Sequence, residues 1–285
     1  MRISQQITIR LLTGFLAILS ISCRTIHKQD FWPDANYLVD NPLEVDIVIK
    51  VDEQEYNIPA KSSKTIMILP GKHTLTYNES SVKFINKIKT VNKPNQDLII
   101  INPTLSNYIL KAQYKNGHSA GAGFQVKVLN MLFIEKAHHE WSYGLNESGK
   151  SKPQIKVPKE QLILYKLYRE QDYREIFDKN PSANLVIPVI ANTLNELSNY
   201  KFPTDSLLGD CLKANTYVSE LEKKWNELIS NPQYLARDVS MLKFDYSSRI
   251  SKEILKECSE DHMNTINKIQ EVLNYLNKTN VFIVK

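Results

Sequence analysis

Glycine is scarce in this chain: 8 residues in 285, beside 12 prolines and 3 cysteines. So few chain breakers exclude long low-complexity stretches and predict an ordered mature chain. An excess of one charge is lacking too. Lys and Arg number 36 against 31 Asp and Glu, and no run of five or more like charges occurs. The formal balance of +5 falls to +3 when the first 22 residues, with Arg2 and Arg10, are set aside. That surplus is too small and too evenly spread to predict a nucleic-acid partner. Long apolar runs are missing as well. The run from Leu11 to Ser22 is 12 residues, whereas a membrane-spanning helix needs about 20. Cleavage after Ser22 is therefore the better reading than a retained membrane helix.

Assembled catalytic sets are the next absence. His138-His139-Glu140 is the densest polar triplet, followed by Trp141 and Tyr143. It lacks the H-E-x-x-H spacing that puts two zinc ligands on one helix face. His262, in Glu260-Asp261-His262, has no ligand-type residue besides Cys258 at helical spacing. The one glycine-rich stretch, Gly117 to Gly123, has no Lys-Ser/Thr pair and leads into the strand-like Gln125-Val126-Lys127-Val128. A phosphate cradle leads instead into a helix N-terminus. Ser119 sits between Gly117 and Gly121, but a nucleophile elbow also needs a helix to follow. These residues predict solvated strands and loops. The sequence therefore assigns no catalytic residue, no metal ligand and no cofactor, and a hydrolase using Ser119 or His138 and His139 stays the rival reading.

What is present begins at the N-terminus. Met1 to Arg10 carries two arginines and no acid, Leu11 to Ser22 is apolar with small residues at its end, and Cys23 follows at once. A charged segment, a short apolar segment and a small-residue exit describe an export signal. Leu19-Ser20-Ile21-Ser22-Cys23 resembles a relaxed bacterial lipobox, with Ser20 where leucine is usual. The resemblance implies a lipidated Cys23, anchored stably because two or three acyl chains hold where one does not. Ser20 and Ser22 also fit ordinary signal peptidase, which leaves plain secretion as the alternative. Arg24 is not the aspartate of inner-membrane retention, so the outer membrane follows by that analogy.

The mature chain predicts an α+β fold in two halves. After a signal peptide (1–22) and a lipid-anchored tether (23–37), residues 38–157 read as an antiparallel β-sandwich. Val45, Ile47, Ile49 and Val51 alternate with polar residues at period two. Asp52-Glu53-Gln54 and Pro70-Gly71 mark turns, Val82, Phe84 and Ile88 share a face, and Leu98 to Ile101 is a short apolar strand. Tyr108 to Tyr114 and Phe124 to Ile134 add two more, a spacing of Ig-like sandwiches. The segment Val48-Ile49-Lys50-Val51-Asp52, Pro59 and Ile68-Leu69-Pro70-Gly71-Lys72-His73-Thr74-Leu75 resembles small modules of the PEGA and carboxypeptidase-regulatory type. That likeness implies a non-catalytic spacer or binding domain on a bacterial surface.

Residues 158–285 read as a helical domain. Pro158 and Glu160 suit a first turn, with Leu162, Tyr165, Tyr168, Ile176 and Phe177 as its apolar side. Asn180-Pro181 opens a second helix that Pro188 interrupts. Leu207, Cys211, Ala214, Val218, Leu221, Trp225 and Leu228 then form a heptad-like seam. Asn231-Pro232 turns the chain into Leu235, Val239, Leu242, Tyr246, Ile250, Ile254 and Cys258, a long helical hairpin. A break near Ser259 to His262, a stripe from Ile266 to Leu276 and an edge strand at Val281 to Val284 complete it.

Parity and an oxidising compartment favour a disulfide between Cys211 and Cys258. A tight hairpin puts position 252 opposite Cys211, roughly 9 Å short of Cys258 at about 1.5 Å per residue. A bridge needs Cα atoms within about 7 Å. A disulfide and two buried thiols both remain open on sequence alone. Fourteen tyrosines against nine phenylalanines suit packing and also glycan or protein surfaces. The functional expectation is an envelope lipoprotein, non-catalytic, whose partners are the membrane, through its lipid, and another envelope protein or a polymer. A toxin-neutralising lipoprotein is the third class.

Overall fold

A computed structural model describes residues 36–87, 99–114, 126–139, 141–142, 145, 163–177, 193–232, 235–258 and 263–284. All fall in one compact unit, Ala35–Lys285. The fold is α+β. Among the described residues twelve strands form three sheets, and all but two short α-helices follow position 200. The signal segment with Cys23, the Gly117 to Gly123 stretch with Ser119, Glu140, Pro158, Asn180-Pro181, Pro188 and His262 lie outside the described residues.

The five-stranded sheet has the order β12-β6-β5-β2-β3 and is antiparallel throughout. Period two builds it. In β2 (Ile47–Val51) Ile47, Ile49 and Val51 are buried while Val48 and Lys50 are exposed. The Asp52-Glu53 turn joins β2 to β3 (Gln54–Ile58), with Val51 opposite Gln54. Between β5 (Gly71–Tyr77) and β6 (Ser80–Asn86), Asn78 and Glu79 both have positive φ, at 45° and 62°. Two such residues make the hairpin turn whose twist matches the strands. Gly71, at φ 130°, is where only glycine is unstrained.

The four-stranded sheet has the order β10-β7-β1-β4. It joins β1 (Asn36–Asp40), β4 (Ser63–Met67), β7 (Ile99–Ile101) and β10 (Phe133–Glu135). The pair β1–β7 is parallel, a departure from the all-antiparallel expectation. Tyr37, placed by sequence at the end of the tether, is fully buried in β1. The three-stranded sheet β11-β8-β9 holds the larger correction. Residues expected to begin a helix form β11 (Ile163–Arg169), antiparallel to β8 (Tyr108–Tyr114) along its whole length; β9 is Lys127–Leu129. The run Ile-Leu-Tyr-Lys-Leu-Tyr is rich in strand formers, and seven paired residues override a helical reading of its spacing.

Cores alternate with the sheets. One core takes Tyr37, Ile66, Ile99, Ile101 and Phe133 from the four-stranded sheet and Ile49, Ile58, Leu75 and Phe84 from the five-stranded one. Ile100 and Ile134 point the other way, joining Tyr108, Leu129, Trp141 and Leu167. Isoleucine at all three β7 positions follows, since both faces are buried. Ile85 and Phe282 turn their backs on the first core and meet the helices.

Those helices carry the expected stripe. After α1 (Lys136–His139) and α2 (Glu170–Phe177) come α3 (Thr204–Leu207), α4 (Leu212–Ser230), α5 (Leu235–Asp245), α6 (Ser251–Glu257) and α7 (Met263–Lys278). A π-helical turn, Tyr246–Ile250, joins α5 to α6. Ala214, Val218, Leu221, Trp225, Leu235, Val239, Tyr246, Ile254, Ile266, Ile269, Leu273 and Leu276 bury one side of the run from α4 to α7. The seam expected from Leu207 to Leu228 breaks between Leu207 and Leu212 instead of running through. The C-terminal β12 (Val281–Val284) is an edge strand, as expected, on β6.

Candidate binding groove

Tyr200 anchors one wall of an open groove. Its backbone N–H donates to the Ile283 carbonyl at 2.9 Å, tying the segment before α3 to the outer edge of β12. Its ring packs on Trp225 and Phe282, centroids 5.4 and 5.3 Å away, both steeply inclined. It stacks on Tyr275 at 5.8 Å and 18°. Tyr275, on α7, also stacks with His138 at 5.0 Å and 30°. Lys201, Pro203, Ser206 and Leu207 continue this wall, and Lys268, Glu271 and Val272 continue the other, enclosing about 460 Å³.

Stacking covers part of these rings, and Tyr275 stays 44 % exposed. A partner meets this ring, the aliphatic Pro203, Leu207 and Val272, exposed Lys201 and Lys268 on opposite walls, and exposed Glu271. Ser206 Oγ donates to the Pro203 carbonyl at 2.9 Å, so this hydroxyl is used as a turn residue. The groove can recognise a surface; it does not assemble a nucleophile with a base.

Behind the groove lies a joint. Thr279 Oγ1 donates to the Tyr275 carbonyl at 2.8 Å and accepts from His138 Nε2 at 2.9 Å. Glu135, 4 % exposed on β10, accepts from the Asn280 backbone N–H at 2.8 Å, its side-chain amide at 3.0 Å and the Val281 N–H at 3.2 Å. Buried Lys87 donates to the Leu276 and Asn277 carbonyls at 2.6 and 3.0 Å. A cation on the last carbonyls of a helix opposes its dipole favourably. Burial pushes the Glu135 carboxyl up to about 7, against the three N–H donors and Lys87, which pull it down.

A second buried cluster joins the four- and three-stranded sheets. Arg169 of β11 grips Asp40 of β1 with two bonds, Nε to Oδ2 at 2.9 Å and Nη2 to Oδ1 at 2.6 Å. The Tyr108 hydroxyl donates to Asp40 Oδ2 at 2.7 Å, and Ser63 Oγ donates to Asp40 Oδ1 at 2.6 Å. Burial and then the Asp40 charge hold the Tyr108 phenol well above its usual range. Every acceptor position of Asp40 is used inside the fold, which makes this a structural knot.

The sequence candidates disperse. His138 and His139 share the single turn α1. Their rings are 6.5 Å apart, edge to face. Burial, then the charges of Lys127 and His138, lower His139 to about 4. Trp141 is core. Among the described residues no group of three or more His, Cys, Asp or Glu is placed to hold a metal ion. Among them, too, no helix is long and apolar enough to cross a membrane. Of the singled-out tyrosines, Tyr168 and Tyr246 are buried and Tyr165 half-buried.

Cys211 and Cys258 are joined in a disulfide, Cα atoms 5.8 Å apart. The tight-hairpin register does hold where Tyr217 stacks on Tyr246 at 5.6 Å. Beyond it the straight-helix offset fails. Both cysteines sit outside the helices, in extended backbone at their ends, ψ 112° and 140°.

Sequence reasoning missed Tyr200 and Tyr275. Tyr275, Val272 and Lys268 recur at helical spacing beside the buried stripe, a signal present in the sequence. Tyr200 reaches the groove only through β12, which local pattern does not encode. Compared with protein families, with curated proteins and with solved structures, this chain matches none.

Proposed function

We propose that this chain is a bacterial envelope lipoprotein, held to the outer membrane through a lipidated Cys23. In this reading it works as a non-catalytic interaction or scaffold module. The groove between Tyr200 and Tyr275 is its contact for another envelope protein or a polymer. The four- and five-stranded sheets, meeting over one core, serve as the spacer sandwich, with the PEGA-like segment supplying β2 to β5. The helical layer presents the groove.

One observation carries the reading: a preformed groove of about 460 Å³ whose walls are braced by the three-ring stack of Tyr200, Tyr275 and His138 yet which holds no nucleophile–base pair. Pockets of this size with a few convergent polar groups are ordinary binding sites. The Cys211–Cys258 bridge agrees with an oxidising compartment.

The test uses full-length protein in its own host. Wild type is expected in the membrane fraction and Cys23→Ala in the soluble periplasm; Cys23→Ala remaining in the membrane would refute the anchor. Cross-linked capture should recover a defined partner with wild type and lose it, at least tenfold, with Lys268→Glu plus Tyr275→Ala. Equal capture by the variant would remove the groove from the reading. Turnover of a hydrolase substrate by wild type, with no partner recovered, would overturn the non-catalytic assignment.

A further inference from the structure

Both walls of the groove hang from one joint. Tyr275 lies in the last turn of α7, and the Thr279 hydroxyl binds its carbonyl. Tyr200 is bonded to Ile283 on β12. Between them run Thr279 and Asn280, where helix becomes strand. Glu135 holds that passage through the backbone N–H groups of Asn280 and Val281. Lys87 holds its other side, through the α7 carbonyls and through its own N–H, which donates to the Asn280 carbonyl at 2.7 Å.

We propose that Glu135 is a proton-operated latch on this joint, closed with its carboxyl protonated and opened by proton loss, and that it thereby sets whether Tyr200 and Tyr275 stand as one surface. The inference rests on the groove being the binding site and adds its regulation.

The sign follows from burial. A carboxylate shut away from water is costly unless fully paired. Opening the joint returns it to water, so an ionised Glu135 drives opening and a protonated one does not. The cluster already contains an acceptor for the carboxyl proton. Asn280 Oδ1 is buried without a partner, on the amide that Glu135 touches, and rotation of that amide brings it to the carboxyl. The groups facing Glu135 are Lys87 from the end of β6 and Tyr37 from β1, whose phenol is itself pushed up by burial and then by the Glu135 charge. Lys136, His138 and His139 follow on α1. Tyr37 donates to Asn86, and His138 binds Thr279, so the joint has one carboxyl and several fixed donors.

Amide hydrogen exchange on the full mature protein reads the latch directly. After correction for intrinsic rates, protection of the Asn280 and Val281 amides is expected to fall roughly tenfold between pH 6 and pH 8. The Tyr200 amide, bonded to β12, is expected to fall with them. Glu135→Gln, neutral at every pH, is expected to hold wild-type low-pH protection throughout. Flat protection in the wild type, or a slope that survives in Glu135→Gln, overturns the latch. A slope at Asn280 and Val281 with a flat Tyr200 amide overturns its coupling to the groove. Failure of the groove itself shows separately, as unchanged partner capture by Lys268→Glu plus Tyr275→Ala.

Discussion

Asp40 and Glu135 are both buried carboxylates that tie together elements far apart in sequence, and their surroundings differ. Asp40 meets a guanidinium in the two-point geometry that matches carboxylate best, with two hydroxyls completing its shell. Glu135 meets N–H groups, and Lys87 beside it is engaged by the carbonyls of α7. Equal burial therefore has unequal consequences. Around Asp40 charge is matched by charge and the contact is fixed. Around Glu135 burial outweighs its donors, and the carboxyl moves to about 7. The first knot fastens sheet to sheet, deep in the fold. The second fastens the helical layer, beside an open groove.

The largest expected effect breaks the fixed side of that contrast. Asp40→Ala strands Arg169 without its carboxylate and should cost about 3–5 kcal/mol in denaturant unfolding, the range for one partner of a buried pair. Replacing Asp40 and Arg169 together by apolar residues of similar volume should recover much of that loss. A single-variant loss under 1 kcal/mol would mean the knot is solvated and the contrast false.

The next effect concerns the helical side alone. The Cys211–Cys258 bridge closes 47 residues, worth about 2–4 kcal/mol by restriction of the unfolded chain. Reduction should lower the unfolding midpoint, with exchange quickening in α4 and α6 before the sheets. Simultaneous loosening of the three sheets would show that the helical layer and the sheets unfold as one unit. Free thiols at both positions in the unreduced, denatured protein would sink the bridge itself.

Much of this arrangement is legible in the chain, and the limits are physical. Strands whose hydrophobic period has one buried face, such as Ile47-Ile49-Val51, announce themselves. So do the helical stripe through Val218, Leu221 and Trp225 and the edge strand at Val281. Asn36 to Asp40 does not, because its partners are β7 and β4, the first of them some 60 residues away and parallel. Ile163 to Arg169 fails for the same reason: its pairing with β8 is long-range, while its local spacing suits a helix. The disulfide joins two residues in extended backbone at helix ends, where straight-helix spacing no longer applies. Both knots are invisible at this level, since Asp40 and Arg169, or Glu135 and Asn280, meet only when the sheets stack. Tyr200 and Tyr275 belong with them. The groove is made where a loop and a helix are hung from the same strand.

The smallest effect is the sharpest test of the contrast between the two carboxylates. Glu135 is raised from an ordinary 4.5 to about 7, so the folded state holds its proton more tightly than the unfolded chain. Its contribution to stability is fully present below about pH 4.5 and is lost as pH rises through about 7. Between pH 6 and pH 8 the wild type should lose about 1 kcal/mol relative to Glu135→Gln, which has no proton to lose. His139 enters with a different window. Lowered to about 4 from 6.5, it lowers stability as pH falls from about 6.5 toward 4, equally in both proteins. The difference between wild type and Glu135→Gln therefore isolates the carboxyl. Urea unfolding of the pair at pH 5, 6, 7 and 8 measures it. A difference that grows from pH 6 to 8 keeps Glu135 as a titrating knot. A constant difference would mean that the three N–H donors match its charge as fully as Arg169 matches Asp40, and that the two sites are alike.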